Sequence, residues 1–206
     1  LLATTVESVS AQPGVDGPAF HAVLGDCTAV HARRVLVTTG MRDELPDVPG
    51  MRERWARDVL HCPYCHGYEV RDRPSGVLWN GSGTVAYAQV VRQWSSDVVL
   101  FAPSGELTDQ QRVELAARAI DVVEGDVSAV EVAADALSAV TLKDGRTVPR
   151  DAVFVPPRFA PHSALLERLG CDLDTDGWVV TGQHGATSVP GVWVAGNVAD
   201  LSAQVI

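Results

Sequence analysis

The chain has 206 residues and a formal net charge of −10, from 16 Lys and Arg against 26 Asp and Glu. Hydrophobic residues make up 46% and charged residues 20%, which excludes a disordered chain, a coiled coil or collagen and predicts one or two globular domains. The acidic charge argues against nucleic-acid binding, because neutralising phosphates requires clustered Lys and Arg. No stretch has the roughly 18 apolar residues of a membrane span, and residues 1–10 do not resemble a signal peptide. We therefore expect a cytoplasmic protein with neither nucleic-acid nor membrane partners.

The first part of the chain predicts β structure. Apolar and β-branched segments predict strands at residues 5–10, 20–24 and 29–38. The turn signal Gly25-Asp26 joins the last two of these strands as a hairpin. The run from Val35 to Gly40 ends on glycine, as a buried parallel strand does. Residues 42–50 predict a linker, and residues 51–58 predict a short helix.

Strands and helices alternate from about residue 75 onward. The predicted strands are 76–80, 98–101 and 122–123, and the predicted helices between them are 84–94 and 108–119. Thr108 and Gln111 predict a capping box at the start of the second helix. This β-α-β-α-β order is typical of a doubly wound parallel sheet. The remaining predicted elements are an antiparallel pair at 127–133 and 137–143, strands at 153–155, 177–180 and 192–195, and a helix at 163–169.

A glycine-rich loop joins the first strand of this unit to its helix. Its sequence matches the dinucleotide fingerprint, and the candidate cofactor-binding residues are Gly81, Ser82, Gly83 and Thr84. The pyrophosphate of a dinucleotide would lie at the helix N-terminus, where free N–H groups and the helix dipole attract it. The second strand is followed by Pro103 and Ser104, which offer no charged group for a ribose or a 2′-phosphate. The sequence therefore leaves open whether NAD(P)H is a cofactor.

Two of the four cysteines lie in the segment His61-Cys62-Pro63-Tyr64-Cys65-His66. Two thiols at this spacing can form a small disulfide, and the motif can lower the pKa of one thiol. The same letters also fit a c-type haem attachment, a zinc site or two unreactive cysteines in a turn. Haem attachment goes with exported, mostly helical proteins, and no second ligand pair exists for zinc. A redox-active dithiol is the favoured interpretation, and no metal site is predicted.

Three separated motifs together resemble the thioredoxin-reductase-like FAD/NAD(P)-dependent disulfide oxidoreductase family. They are the dithiol before the glycine loop, the turn Thr38-Thr39-Gly40, and the segment at 188–197 that ends Val194-Ala195-Gly196-Asn197. The resemblance implies an α/β fold with two domains, Rossmann-like and three-layered. In that family the FAD domain is interrupted by a nucleotide domain. The implied division is 1–42 and 156–206 for parts of the FAD domain, 43–56 for a linker, and 57–155 for an NAD(P)-binding-like domain with the dithiol.

The resemblance also implies roles for individual residues. Cys65 would be the thiol nearest the flavin, and Cys62 would exchange with the substrate. His66 stands where thioredoxin reductases have an aspartate that serves as proton donor. Its reference pKa of about 6.5 suits a base that takes a proton from an incoming thiol near pH 7. The implied FAD contacts are Thr39, Gly40, Gly196, Asn197, Gln204 and Val205, with Asn197 where the family usually has aspartate.

The motif Cys-Pro-Tyr-Cys-His-Gly, which contains His66, is most similar to that of the flavin-dependent dithiol oxidases of natural-product pathways, of the holomycin and gliotoxin type. Such an enzyme would oxidise a small-molecule dithiol to a disulfide and pass the electrons through FAD to oxygen. An NADPH-dependent thioredoxin reductase acting on a protein disulfide is the alternative. A redox-inactive nucleotide-binding or dimerisation module is an alternative from another class. A homodimer is expected from the family alone.

The length leads to a further expectation. The first β-α-β unit of an FAD domain, with its own glycine loop, has no counterpart in this sequence, and neither has the family's final helix. The chain also starts without Met and has apolar residues at both ends. We therefore expect these 206 residues to be part of a longer chain and to bind FAD poorly by themselves.

Overall fold

A computed structural model describes residues 3–12, 19–81 and 83–201. The chain divides into two compact units. The first combines Leu1–Glu44 with Phe159–Ile206, and the second is the intervening segment Leu45–Arg158. No helix in the described ranges has both the length and the hydropathy required to cross a membrane.

The regular elements of the described residues are short, and most of them are strands. In chain order the strands are β1 (Val6–Gln12), β2 (Ala19–Leu24), β3 (Ala29–Ala32), β4 (Val35–Val37), β5 (Met41–Glu44), β6 (Val59–Leu60), β7 (Ser75–Leu78), β8 (Val98–Ala102), β9 (Ile120–Glu124), β10 (Val127–Ala133), β11 (Ala136–Leu142), β12 (Thr147–Pro149), β13 (Ala152–Phe154), β14 (Arg158–Pro161) and β15 (Val192–Val194). The α-helices are α1 (Pro63–His66), α2 (Thr84–Val91), α3 (Asp109–Ala116) and α4 (Ala164–Arg168). Single 3-10 turns occur at Gln183–Gly185 and Gly196–Val198.

The second unit has three layers, as the sequence predicts. Its central sheet has the order β6-β13-β7-β8-β9, and all of the pairs in it are parallel. One set of sheet side chains, which includes Val77 and Leu100, packs with Val85 of α2 and Leu115 of α3. The alternate set packs against the antiparallel sheet β10-β11-β12. Because successive strand residues point to opposite faces, a strand buried on both faces is apolar throughout, and all residues of β8 are buried.

The first unit is built mainly from antiparallel strands. Strands β1, β2 and β3 form one sheet, and β5 pairs with β14. Strand β4 pairs in parallel with β15, although the two strands are far apart in sequence. The core of this unit includes Phe20, Leu166 and Val192, and α4 supplies the second of these.

Three local predictions were wrong. Residues 51–58 form successive turns rather than a helix, and Met51 and Arg54 are buried in the second unit. Residues 29–38 are not one strand, because β3 and β4 belong to different sheets. Residues 177–180 are not a strand; Val179 forms an isolated β-bridge with Leu173. For residues 29–38 and 51–58, sheet pairing and burial override the local pattern.

The capping box of α3 has the predicted form. Thr108 is the N-cap, its hydroxyl accepts the Gln111 N–H at 3.2 Å, and the Gln111 side chain accepts the Thr108 N–H at 3.0 Å. Thr108→Ala is expected to lower the free energy of unfolding by about 1 kcal/mol, measured by urea denaturation. Ser104→Ala, at an exposed position in the loop before the helix, is the matched control. Equal losses in both variants would contradict a capping role.

Candidate functional site

The dithiol lies at the start of the short helix α1. Cys62 is the N-cap residue and Pro63 occupies the first helical position, where its missing N–H costs no hydrogen bond. The Cys62 Sγ accepts the backbone N–H of Cys65 at 3.3 Å. The Cys65 thiol donates to the Cys62 Sγ, and the two sulfurs lie 2.6 Å apart. Both cysteines are free thiols here, and they are placed so that a disulfide can form with little movement.

The two thiols have different environments. The hydrogen bond to Cys62, partial burial and the negative charges of Cys62 and Glu69 together raise the pKa of the Cys65 thiol. Cys65 is exposed and Cys62 is half-buried, so both can be reached from solvent.

Histidines lie on both sides of the dithiol. His66 is the last residue of α1 and is half-buried, and its imidazole makes no hydrogen bond within the part of the chain that the structure describes. The ring of His61 stacks on Trp55, with centroids 6.5 Å apart and planes 15° apart. The carbonyl of His61 accepts a hydrogen bond from the hydroxyl of Tyr87 on α2. Nothing in the sequence singles out Tyr87 except its position three residues into the helix that follows the glycine loop.

A groove of about 280 Å³ lies next to Tyr64, and its lining among the described residues does not include Cys62 or Cys65. Tyr64 contributes one side, and residues of α2 and the turn after it contribute the rest, together with Arg118 from the turn after α3. Its polar and aromatic lining residues include Tyr64, Gln89, Gln93, Trp94 and Arg118. The volume is near the lower end of the range for small-molecule pockets, which is roughly 300–1,000 Å³.

The glycine loop has the predicted strand-loop-helix context. Gly81 has φ +96°, which favours glycine, and a Cβ there or at Gly83 would meet no atom within 4 Å. The buried Thr84 hydroxyl accepts the Asn80 N–H at 2.9 Å, and the Thr84 N–H donates to the carbonyl of Gly81 at 3.0 Å. Ser82 lies outside the described residues. The open space over both glycines fits a pyrophosphate.

The loop after β8, where the fingerprint places the group that binds the ribose or its 2′-phosphate, fits a dinucleotide less well. Strand β8 ends at Ala102, and the chain then turns, with the Glu106 N–H donating to the carbonyl of Pro103 at 3.3 Å. No Lys or Arg occurs between this strand and α3. A 2′-phosphate would therefore find no cation on this loop, which is where the fingerprint places one.

Four of the predicted FAD contacts, Thr39, Gly40, Gly196 and Asn197, follow the parallel strands β4 and β15 at the same end of the pair. The Ala195 N–H donates to the carbonyl of Val37 at 3.2 Å, so that the turns after the two strands are adjacent. Gly40 has φ +69° and Gly196 has φ +73°, and a Cβ at either would meet no atom within 4 Å. Two glycines with open space at the carboxyl ends of parallel strands fit close approach of a flavin cofactor.

Two neighbouring polar residues complete this end of the strand pair. The Thr39 hydroxyl donates to the carbonyl of His162 at 2.9 Å. The Asn197 amide donates to the carbonyls of Asp200 and Leu201, both at 3.4 Å. Gln204 and Val205 lie outside the described residues. The described residues contain no group of three or more His, Cys, Asp or Glu that could hold a metal ion.

The chain is similar to disulfide oxidoreductases over its whole length. It is 28% identical over 189 residues to thioredoxin reductase sirT of Leptosphaeria maculans, which covers 84% of this chain and 58% of that protein. Thioredoxin reductase tcpT of Claviceps purpurea is 30% identical over 81% of this chain and 55% of that protein. The chain thus spans little more than half the length of these relatives.

Solved structures agree with this fold. The crystal structure of HlmI is 50% identical with a TM-score of 0.86, over 99% of this chain and 64% of that chain. The structure of the putative thioredoxin reductase TrxB from Bacillus anthracis is 30% identical with a TM-score of 0.83, over 96% of this chain and 66% of that chain. The family model for pyridine nucleotide-disulphide oxidoreductases matches residues 4–206. The chain therefore belongs to the pyridine nucleotide-disulphide oxidoreductase family.

Proposed function

We propose that the protein is an FAD-dependent oxidoreductase that converts a small-molecule dithiol to a disulfide, with oxygen as the final electron acceptor. The observation that carries this proposal is the accessible thiol pair, whose sulfurs lie 2.6 Å apart. A pair with these properties suits reversible disulfide exchange. The groove beside Tyr64 supports a substrate of small-molecule size.

The exchange begins from the oxidised Cys62–Cys65 disulfide. A substrate thiolate attacks the Sγ of Cys62 and forms a mixed disulfide, and Cys65 leaves as a thiolate that takes up a proton. The second substrate thiolate then attacks the substrate sulfur of the mixed disulfide, closes the product disulfide and releases Cys62. Two electrons pass from the substrate to the cysteine pair, and the two thiol protons of the substrate are released or transferred.

His66 is the proposed proton acceptor for the incoming substrate thiol. It ends α1 one residue after Cys65 and is half-buried. FAD would supply the two-electron oxidation of the reduced cysteine pair and the subsequent reduction of oxygen. Gly40, Gly196 and Asn197 would hold FAD, with Thr39 beside them, and we propose that residues 1–42 and 156–206 contribute to that site.

We also propose that the protein acts as a homodimer in the cytoplasm.

Thioredoxin reduction with NADPH is a second candidate function, because curated relatives carry the name thioredoxin reductase. The loop after β8 favours the oxidase, since it offers no cation to a 2′-phosphate. Gly81 and Gly83 would still accept a pyrophosphate.

The two functions differ in the electron partner of the flavin. With a dithiol such as dihydrolipoamide, we expect oxygen-dependent turnover of the full-length protein, measured in an oxygen electrode. We expect NADPH to reduce the flavin at least 100-fold more slowly than the dithiol does, measured by anaerobic stopped-flow absorbance. A control protein with NADPH-dependent activity shows that the NADPH is competent. Rapid reduction of the flavin by NADPH would reject the oxidase in favour of the reductase.

A further inference from the structure

We propose that Tyr87 is a positioning residue for Cys62, and that its hydroxyl fixes the peptide that carries the substrate-exchanging thiol. Tyr87 lies on the first half of α2, a different element from the dithiol and 25 residues after Cys62. Its hydroxyl donates to the carbonyl of His61, which is the peptide group directly before Cys62. The inference rests on the proposed function in one respect, that Cys62 is the thiol that meets the substrate.

The contact fixes the peptide that enters the N-cap of α1. For Cys62 to accept hydrogen bonds from both the N–H and the thiol of Cys65, its backbone must keep the extended N-cap conformation, here φ −104° and ψ 111°. α1 has only four residues, so the helix itself contributes few interactions that would maintain this conformation. A hydrogen bond to the peptide before the N-cap supplies an anchor from outside the helix.

Tyr87 is itself well anchored. Its ring packs against the core cluster of the second unit, and its backbone N–H donates to the carbonyl of Gly83 at 3.2 Å. The same residue therefore joins the glycine loop to the dithiol segment. Burial and the negative charge of Cys62 raise the pKa of the Tyr87 hydroxyl, so it remains a donor throughout the pH range in which thiols titrate. His61 is also held through its side chain, because its ring stacks on Trp55.

The test compares the alkylation of the two thiols in the reduced protein. Iodoacetamide is added at pH 7, and the ratio of labelled Cys62 to labelled Cys65 is read by fragmentation of the peptide that holds both. Tyr87→Phe keeps the ring and removes only the donor. We expect the ratio to fall about fivefold, the factor that corresponds to one hydrogen bond of about 1 kcal/mol. Cys27, an exposed thiol of the other unit, provides an internal rate standard.

The matched control is Tyr68→Phe, because Tyr68 is 62% exposed and lies just after α1, the helix that carries the dithiol. Its ratio should equal that of the wild type. Incorporation of 4-aminophenylalanine at position 87 restores a donor on the same ring and should restore the ratio, even if Tyr87→Phe lowers the melting temperature. An unchanged ratio in Tyr87→Phe, or equal falls in the two variants, would overturn the proposal. The assay uses neither flavin nor substrate, so its outcome is distinguishable from a failure of the proposed function.

Discussion

Cys65→Ser is expected to reduce dithiol oxidation to below about one thousandth of the wild-type rate while FAD remains bound. Serine cannot form the disulfide that accepts two electrons from the substrate. The predicted FAD contacts Gly40 and Gly196 belong to the first unit, whereas Cys65 belongs to the second. Turnover is measured as oxygen consumption, and bound flavin is measured by the visible spectrum of the purified variant.

The same variant isolates the exchange at Cys62. Cys62 is retained, so its thiolate can attack the disulfide of a monothiol and keep one monothiol as a mixed disulfide, because neither Cys65 nor a second thiol on the same molecule is present to displace it. Intact-mass spectrometry should then show an added mass equal to that of the monothiol less two hydrogens. Cys27→Ser, at another exposed cysteine, is the control and should keep full turnover. Unchanged turnover in Cys65→Ser would remove this thiol from the mechanism.

The second large effect concerns stability. Arg54 and Asp58 form a buried ion pair in the turns that precede β6, and the Asp58 carboxylate also accepts the Leu137 N–H at 2.9 Å. Asp58→Asn is expected to lower the free energy of unfolding by about 3 kcal/mol, because it leaves a buried guanidinium without its main partner. Asp135→Asn is the matched control, since Asp135 contacts the same Arg54 from an exposed position and its loss should leave the unfolding transition nearly unchanged.

The ion pair also predicts a pH dependence. Burial alone would raise the pKa of Asp58, but hydrogen bonds from Arg54 and Leu137 outweigh it and lower the pKa below its usual value. A carboxyl with a lowered folded-state pKa contributes stability above its unfolded pKa of about 3.9 and loses that contribution as the pH falls further. The stability difference between wild type and Asp58→Asn should therefore be full at pH 6 and shrink below about pH 4. A difference that grows on acidification would contradict the assignment.

The doubly wound unit could be predicted because its signals are local. Each strand of the β7-α2-β8-α3-β9 run is a short apolar segment, and the capping box at Thr108 marks the start of α3. Met51 and Arg54 could not be placed in the same way. Their burial depends on packing against β10 and β11, about 80 residues later, and no local periodicity records such a partner.

The same distinction applies to the candidate site. The spacing of Cys62 and Cys65 and the glycines at 81 and 83 are motifs that a reader can find in the sequence. Tyr87 is not part of any motif, and its contact with His61 exists only because α2 packs beside the dithiol segment. The pairing of β4 with β15, which places Gly40 near Gly196, likewise joins segments that sequence spacing alone does not connect.

The most direct test of the central claim is an anaerobic titration of the full-length protein with dithiothreitol, followed by its visible spectrum. A dithiol that exchanges with Cys62 and Cys65 should bleach the flavin absorbance, and admission of oxygen should restore it. Cys65→Ser should leave the absorbance unbleached at the same dithiol concentration. A folded protein without flavin absorbance, or a flavin spectrum that the dithiol leaves unchanged, would contradict the account.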